Sequence, residues 1–287
     1  MDNHYLIPPE SFLNTWVHDI TLKPSITGLC VGYESKKWRA KQLAEHVIEW
    51  LPEFSLTYKE AKSLHSGNSR KLFKEAAQKV YTSEAYRNRG EFGEILLHIA
   101  IRQIFSTISA VSKIYFKSAS NDTVKGFDCV HVLYNNETIE LWLGEAKFYN
   151  NINRAINDVI EELKQHLTRE YLREEFILIG GKISLPEEIE EKLKKLISAN
   201  NSLDNIVDRL CIPVLLTYDA KFIKNHDQCS LEYKNNFAKE VLSKHQEFLK
   251  KLPLELLEKI TIRLFIMPLE SKEELVLEMN NALKKQQ

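Results

Sequence analysis

Two apolar runs, 127–134 (FDCVHVLY) and 138–148 (TIELWLGEAKF), flank the pair Asn135-Asn136. Both alternate in the manner of strands, and asparagine tolerates the positive φ of a tight hairpin turn. If Asn135 and Asn136 form a two-residue turn, Tyr134 faces Glu137 and Asp128 faces Leu143. Side chains alternate faces along a strand, so Leu143, Glu145 and Lys147 share one face, and Asp128 lies on it one diagonal step from Glu145. The rest of that face is Val130, Val132, Tyr134, Ile139 and Leu141. An apolar sheet face therefore ends in an Asp, a Glu and a Lys. A four-residue loop keeps this parity; a three-residue loop breaks it.

Carboxylates placed so close repel each other. A divalent cation between them removes the conflict, and oxygen ligands suit magnesium or manganese. An ammonium at Lys147 can orient or deprotonate a water, or steady charge on a phosphate in the transition state. Metal, paired acids and lysine are the parts that phosphodiester hydrolysis uses. The plainer alternative is a surface ion pair, worth under about 1 kcal/mol. Against it stands the cost of a lone charge on an otherwise apolar face. Upstream, 90–106 (GEFGEILLHIAIRQIFS) has the period of an amphipathic helix and carries a further acid pair, Glu91 and Glu94. Gly90 and Gly93 are poor helix formers, which a close approach to another element would explain.

The remaining pattern gives the framework. A strand is expected at 26–32 and a helix over 35–50, stopped by Pro52; a second helix runs from about 68 to 81, capped from the Ser66-Gly67-Asn68 stretch. After the central helix come a strand at 111–117, the hairpin, and a helix at 151–169. A buried strand at 175–183 (EFILIGGKI) and a helix at 186–198 from Pro186 follow. Pro213 demotes the strand at 210–217 to an edge or bulged position. A helix at 231–250, a strand at 259–266 and a helix from Ser271 complete the chain. Hairpin strands followed by alternating helices and strands indicate an α/β or α+β domain around a central mixed β-sheet flanked by helices. Residues 1–87 read as a largely helical, basic region, with 12 Lys/Arg against 7 Asp/Glu from Glu34 to Arg89, and 88–287 as the core with a strand–helix extension.

Composition narrows the function classes. The 287 residues carry 39 Lys/Arg and 40 Asp/Glu, a net charge of −1, so nucleic-acid contact must come from a local patch. No apolar run has the length of a membrane span and no leader pattern opens the chain, which gives a cytoplasmic expectation. None of the four cysteines forms C-x-x-C; Cys129 and Cys211 read as core residues. The nine histidines show no zinc spacing, and His98 and His131 read as satisfied structural residues. Lys117 and Lys125 could meet a phosphate backbone or be solvated. Gln165 reads as an exposed helix residue.

The segments RGEFGE on a helix, KGFD opening a strand and LGEAK closing the next resemble the core of the PD-(D/E)xK nucleases, although Phe127 stands where the family name has proline. More specifically, RNRGEFGEILLHIAIRQIF, KGFD and LWLGEAKFY are similar to the nuclease subunit family of the Hachiman anti-phage system, HamA. The resemblance implies a restriction-endonuclease-like core and Mg²⁺- or Mn²⁺-dependent DNA cleavage. It implies that Asp128 and Glu145 bind the metal, that Lys147 assists the water, and that Glu94 (or Glu91) completes the site. It also implies a helicase partner. Two other functions remain compatible with the residues: an inert nuclease-like scaffold that binds helicase or DNA, and a restriction or repair endonuclease. DNA versus RNA and endo- versus exonuclease action stay open.

Overall fold

The computed structural model describes residues 7–80, 90–112, 126–135 and 137–286. Strands β1 (Asn14–Asp19), β2 (Ser25–Cys30), β3 (Tyr33–Glu34) and β4 (Lys37–Trp38) come first. Helices α1 (Ala40–Glu49), α2 (Leu51–Ser55), α3 (Tyr58–Lys62) and α4 (Ser69–Val80) follow, then α5 (Glu91–Phe105) and strands β5 (Ile108–Ser112), β6 (Cys129–Asn135) and β7 (Thr138–Phe148). Helices α6 (Ile152–His166), α7 (Arg169–Gly180), α8 (Glu187–Leu196) and α9 (Leu203–Val207) lead to β8 (Leu210–Asp219). Helices α10 (Lys221–Lys224), α11 (Leu231–Lys251) and α12 (Leu254–Lys259) lead to β9 (Thr261–Leu269), and α13 (Lys272–Lys284) is last.

Seven strands form one sheet in the order β1-β2-β9-β8-β7-β6-β5. The four from β2 to β7 are parallel; β1, β6 and β5 run antiparallel to their neighbours. The central mixed sheet flanked by helices agrees with the expected class. Strands β2 and β8 are buried along essentially their whole length, as parallel strands covered on both faces must be. Helix α5 covers one face of β7 and α6 the other, with α11 beside α6 against β1, β2 and β9. The N-terminal region is not only helical: β1 and β2 extend the same sheet beyond β9, and α1 packs on α13.

Several local expectations change. The 175–183 segment is not a strand; 175–180 form the second half of α7, and 181–183 follow its C-terminus. Leu172, Glu175, Phe176 and Ile179 are buried at helical spacing, while Ile177 and Leu178 face solvent. A short apolar run has no decisive period of its own, and the helix-favouring Arg169–Glu175 stretch before it carries the helix through. The expected helix at 151–169 ends at His166, and α7 begins anew after Thr168. In the 35–50 segment, Ser35 and Lys36 adopt positive φ and close the β3–β4 hairpin, so the helix starts only at Ala40. Pro52 sits in the first turn of α2, where its missing N–H costs nothing.

Pro213 lies in an interior strand, not at an edge. The β8–β9 pairing runs unbroken through Pro213 opposite Arg263. The β7–β8 pairing skips Ile212 and Pro213 and resumes in the same register at Glu145 opposite Val214. The one hydrogen bond that proline cannot give is thus dropped on the β7 side without a bulge. Strand β5 covers the start of the expected 111–117 strand; its remainder, with Lys117 and Lys125, lies outside the described residues. Among the described residues no helix is long and apolar enough to cross a membrane.

Candidate active site

The hairpin register differs from the expected one by two. Cys129 faces Gly144 and Asn135 faces Thr138, with Glu137 at positive φ in the turn. A shift of two preserves the side-chain faces. Asp128, one residue before the ladder, donates its N–H to the Gly144 carbonyl at 2.8 Å, and its Oδ2 accepts the Ala146 N–H at 2.8 Å. That clamp fixes the Asp128 carboxylate beside the segment carrying Glu145 and Lys147.

Seven charged side chains are buried among the described residues. Glu53 and Arg102 pair with each other beneath α2. The other five, Glu94, Asp128, Glu145, Lys147 and Glu175, gather where β6 begins and β7 ends. Charged groups are rarely buried without a partner or a task, so this concentration is the candidate site of the fold.

Two glycines bring the parts together. An added Cβ at Gly93 would lie 2.8 Å from the Phe148 Cβ and 3.6 Å from that of Ala146. The bare α-carbon lets the N-terminal turn of α5 close on the even-numbered side of β7, which carries Glu94 to the strand end. Gly90, by contrast, has nothing within 4 Å of such a Cβ. Gly126 adopts φ +124°, and a Cβ there would meet both Glu175 carboxylate oxygens at 2.9 Å. Glu175 Oε1 accepts the Phe127 N–H at 3.3 Å, so α7 steers the entry into Asp128.

A cleft of about 400 Å³ opens at the carboxyl end of β7, lined by Glu94, Asp128, Lys147, Asn150, Arg154 and Lys272. Ligand sites of open α/β sheets lie at this end of the strands. Glu91 is not part of the lining. Glu145 lies beneath it, 1% exposed, and its Oε1 takes a hydrogen bond from His166 Nδ1 at 2.6 Å. Glu145 and Lys147 face α6, where Lys147 Nζ pairs with Glu162. Glu94 reaches the cleft from α5, on the opposite face, so the arrangement straddles the end of the sheet.

Burial alone would lower the Lys147 pKa, but Glu145, Glu162 and Asp128 together raise it above its ordinary value, so the ammonium keeps its charge at neutral pH. His166 goes the other way: burial outweighs the surrounding carboxylates Glu162, Glu175 and Asp128, and lowers its pKa. The ring is neutral at pH 7 and donates from Nδ1 to Glu145. It stacks on Tyr171 with centroids 4.3 Å apart and meets Phe127 edge-on, which fixes its plane.

A sequence model of the family HamA matches residues 10–283. The chain belongs to the HamA family. It is also 23% identical over 256 residues to the anti-bacteriophage protein A of Escherichia coli (strain K12), an alignment covering 85% of this chain and 45% of that protein. This HamA-family chain therefore spans less than half the length of that relative.

Some residues of the HamA-family cleft escaped sequence reasoning. Gln165 is exposed as expected, and its neighbour His166 makes the contact to Glu145. Glu162 and His166, four apart on α6, share a face, and that spacing was the available signal. Lys272 had none, because β9 and α13 reach the cleft only through the sheet order; Arg154 enters it from the first turn of α6, just after β7. His98 and His131 are buried and hydrogen-bonded to each other at 3.1 Å, as structural residues. Cys129 and Cys211 are buried free thiols.

Proposed function

We propose that this chain is a metal-dependent DNA nuclease of PD-(D/E)xK type, the effector of an anti-phage defence complex with a helicase. The observation that carries the reading is the group of buried acids with one charged lysine at an open cleft. HamA membership and the name of the E. coli relative support the defence role.

Asp128 and Glu145 are an all-oxygen donor pair suited to a hard cation such as Mg²⁺ or Mn²⁺. Among the described residues no three His, Cys, Asp or Glu side chains stand at metal-ligating spacing. That fits magnesium, which is usually held by one or two carboxylates and fills its shell with waters and phosphate oxygens. Asp128 and Glu145 would hold the ion, which supplies Lewis-acid polarisation of the scissile phosphate and a more acidic water. Lys147 places a fixed positive charge where the pentacoordinate phosphate gains negative charge. The Ala146 N–H orients Asp128, His166 orients Glu145, and Glu94 closes the cleft from the other face.

A catalytically inert scaffold is the second reading, favoured by the pairing of the buried Lys147 ammonium with Glu162, which occupies the group that cleavage would use. One assay separates the two: linear and supercoiled DNA incubated with the purified chain, alone and with its helicase partner, in magnesium or EDTA. Magnesium-dependent degradation supports the nuclease; intact DNA under every condition supports the scaffold.

A further inference from the structure

Beyond the acids and Lys147, the cleft holds two cations whose placement the hydrolytic step does not require. Arg154, in the first turn of α6, lies over the Tyr149 ring with its guanidinium carbon 5.1 Å from the centroid. Lys272, first residue of α13, lies over the Phe148 ring at 4.9 Å. Phe148 and Tyr149 follow Lys147 directly at the end of β7. Each cation is seated on an aromatic ring at the strand end, and both line the cleft with Asn150.

Their existing partners leave this positive charge incompletely neutralised. Arg154 Nε is 3.5 Å from Asp158 in an exposed pair, which is worth little in water. For Lys272 the acid within electrostatic reach is Asp219, whose Oδ1 is already bonded to the Lys272 backbone N–H at 2.7 Å. Burial and the repulsion of Arg154 both lower the Lys272 pKa. Two like charges held in one cleft gain most from an anion that spans them.

We propose that Asn150, Arg154 and Lys272 form a subsite for a backbone phosphate adjoining the scissile one, so that the cleft binds a polynucleotide strand through at least two successive phosphates. This rests on the nuclease reading for the identity of the strand. Cation–π seating holds the two side chains in place before the ligand arrives and lowers the ordering cost of binding. A backbone contact carries no base information, so the subsite adds affinity and register without sequence preference.

The test is salt-dependent binding of a fluorescein-labelled single-stranded oligonucleotide in EDTA, between about 50 and 200 mM salt. The proteins are the wild type, the double variant Arg154→Gln/Lys272→Gln, the conservative Arg154→Lys, and Lys284→Gln at the far end of α13. Each lost phosphate contact lowers the log–log slope by about 0.7 for a single strand, and the double variant, which empties a subsite for one phosphate, should lose about that much. Arg154→Lys and Lys284→Gln should keep the wild-type slope, and thermal melting should show all four proteins folded. An unchanged slope in the folded double variant, or no wild-type binding at the lowest salt, overturns the subsite. If the slope is unchanged while the wild type degrades DNA in a Lys147-dependent way, the subsite fails and the nuclease stands. If the slope falls while no protein cleaves, the subsite stands as a polynucleotide site and the nuclease fails.

Discussion

Gly93→Ala probes the contact that carries Glu94 to the cleft. The new methyl would sit 2.8 Å from the Phe148 Cβ, an atom fixed to the β7 backbone that cannot swing aside. Ordinary contact begins at 3.4 Å, so α5 must lift from β7 by about 0.6 Å. Overpacking of this kind costs about 1–3 kcal/mol, and alanine recovers about 1 kcal/mol of helix propensity. The net loss is then about 0–2 kcal/mol, a fall in Tm of roughly 0–8 °C for a chain of this size. Activity should suffer more than stability. Displacing a carboxylate by a substantial fraction of an ångström takes it out of reacting geometry, and a misplacement near 1 Å costs on the order of 10² in rate. Thermal melting and initial rates of DNA cleavage measure the two effects side by side. Gly90→Ala is the matched control, with open space around its Cβ, and should stay within about 0.5 kcal/mol of wild type. A Gly93→Ala protein with wild-type Tm and wild-type cleavage would refute the close-approach argument.

Gly126→Ala should cost about 1–3 kcal/mol from backbone strain at φ +124°, before the clash with Glu175 is counted; an unchanged melting temperature would contradict this. The pH dependence has a worked sign. Burial, with Arg102 nearby, pushes the His131 imidazole down to about 3 from 6.5, so the unfolded chain binds its proton first as pH falls. The stability from this neutral histidine is intact above pH 6.5, declines as pH falls toward 3, and is down by about 2 kcal/mol at pH 5. Urea denaturation at pH 7.5 and pH 5 should show a smaller difference in His131→Gln than in wild type; equal differences would count against the buried-histidine argument. In a manganese titration, Glu145→Ala should regain part of its cleavage and Lys147→Ala none, since in the proposed mechanism the first loses a cation ligand and the second a fixed charge.

The sheet class and the faces of the hairpin were legible because side-chain parity survives a register shift of two. Asp128, Glu145 and Lys147 could therefore be grouped from residue types alone, although the register itself could not. The 175–183 segment misled because an apolar run of that length satisfies both periods. The strand and helix readings differ only in whether Ile177 and Leu178 are buried, which tertiary packing decides. Pro213 misled for a related reason: a proline is excluded from an interior strand only if both neighbours need its N–H. Gly93 was readable as a close approach, whereas Gly90 in the same motif has no such role. Long-range neighbours left no trace in the sequence. Lys272 meets Phe148 only because β9, β8 and β7 lie side by side in the sheet.

The most direct measurement is the cleavage rate of linear DNA in magnesium by wild type and Lys147→Ala, each alone and with the proposed helicase partner. Lys147 is buried against Glu162 and Glu145, so its removal leaves carboxylates without their counter-charge and lowers Tm. The rates must therefore be taken well below both melting temperatures. The account predicts that folded Lys147→Ala cleaves on the order of 10²–10³ more slowly than wild type, and that EDTA abolishes cleavage by wild type. Wild-type rates from the folded variant would contradict it and leave Lys147 as an ion-pair partner in a buried network.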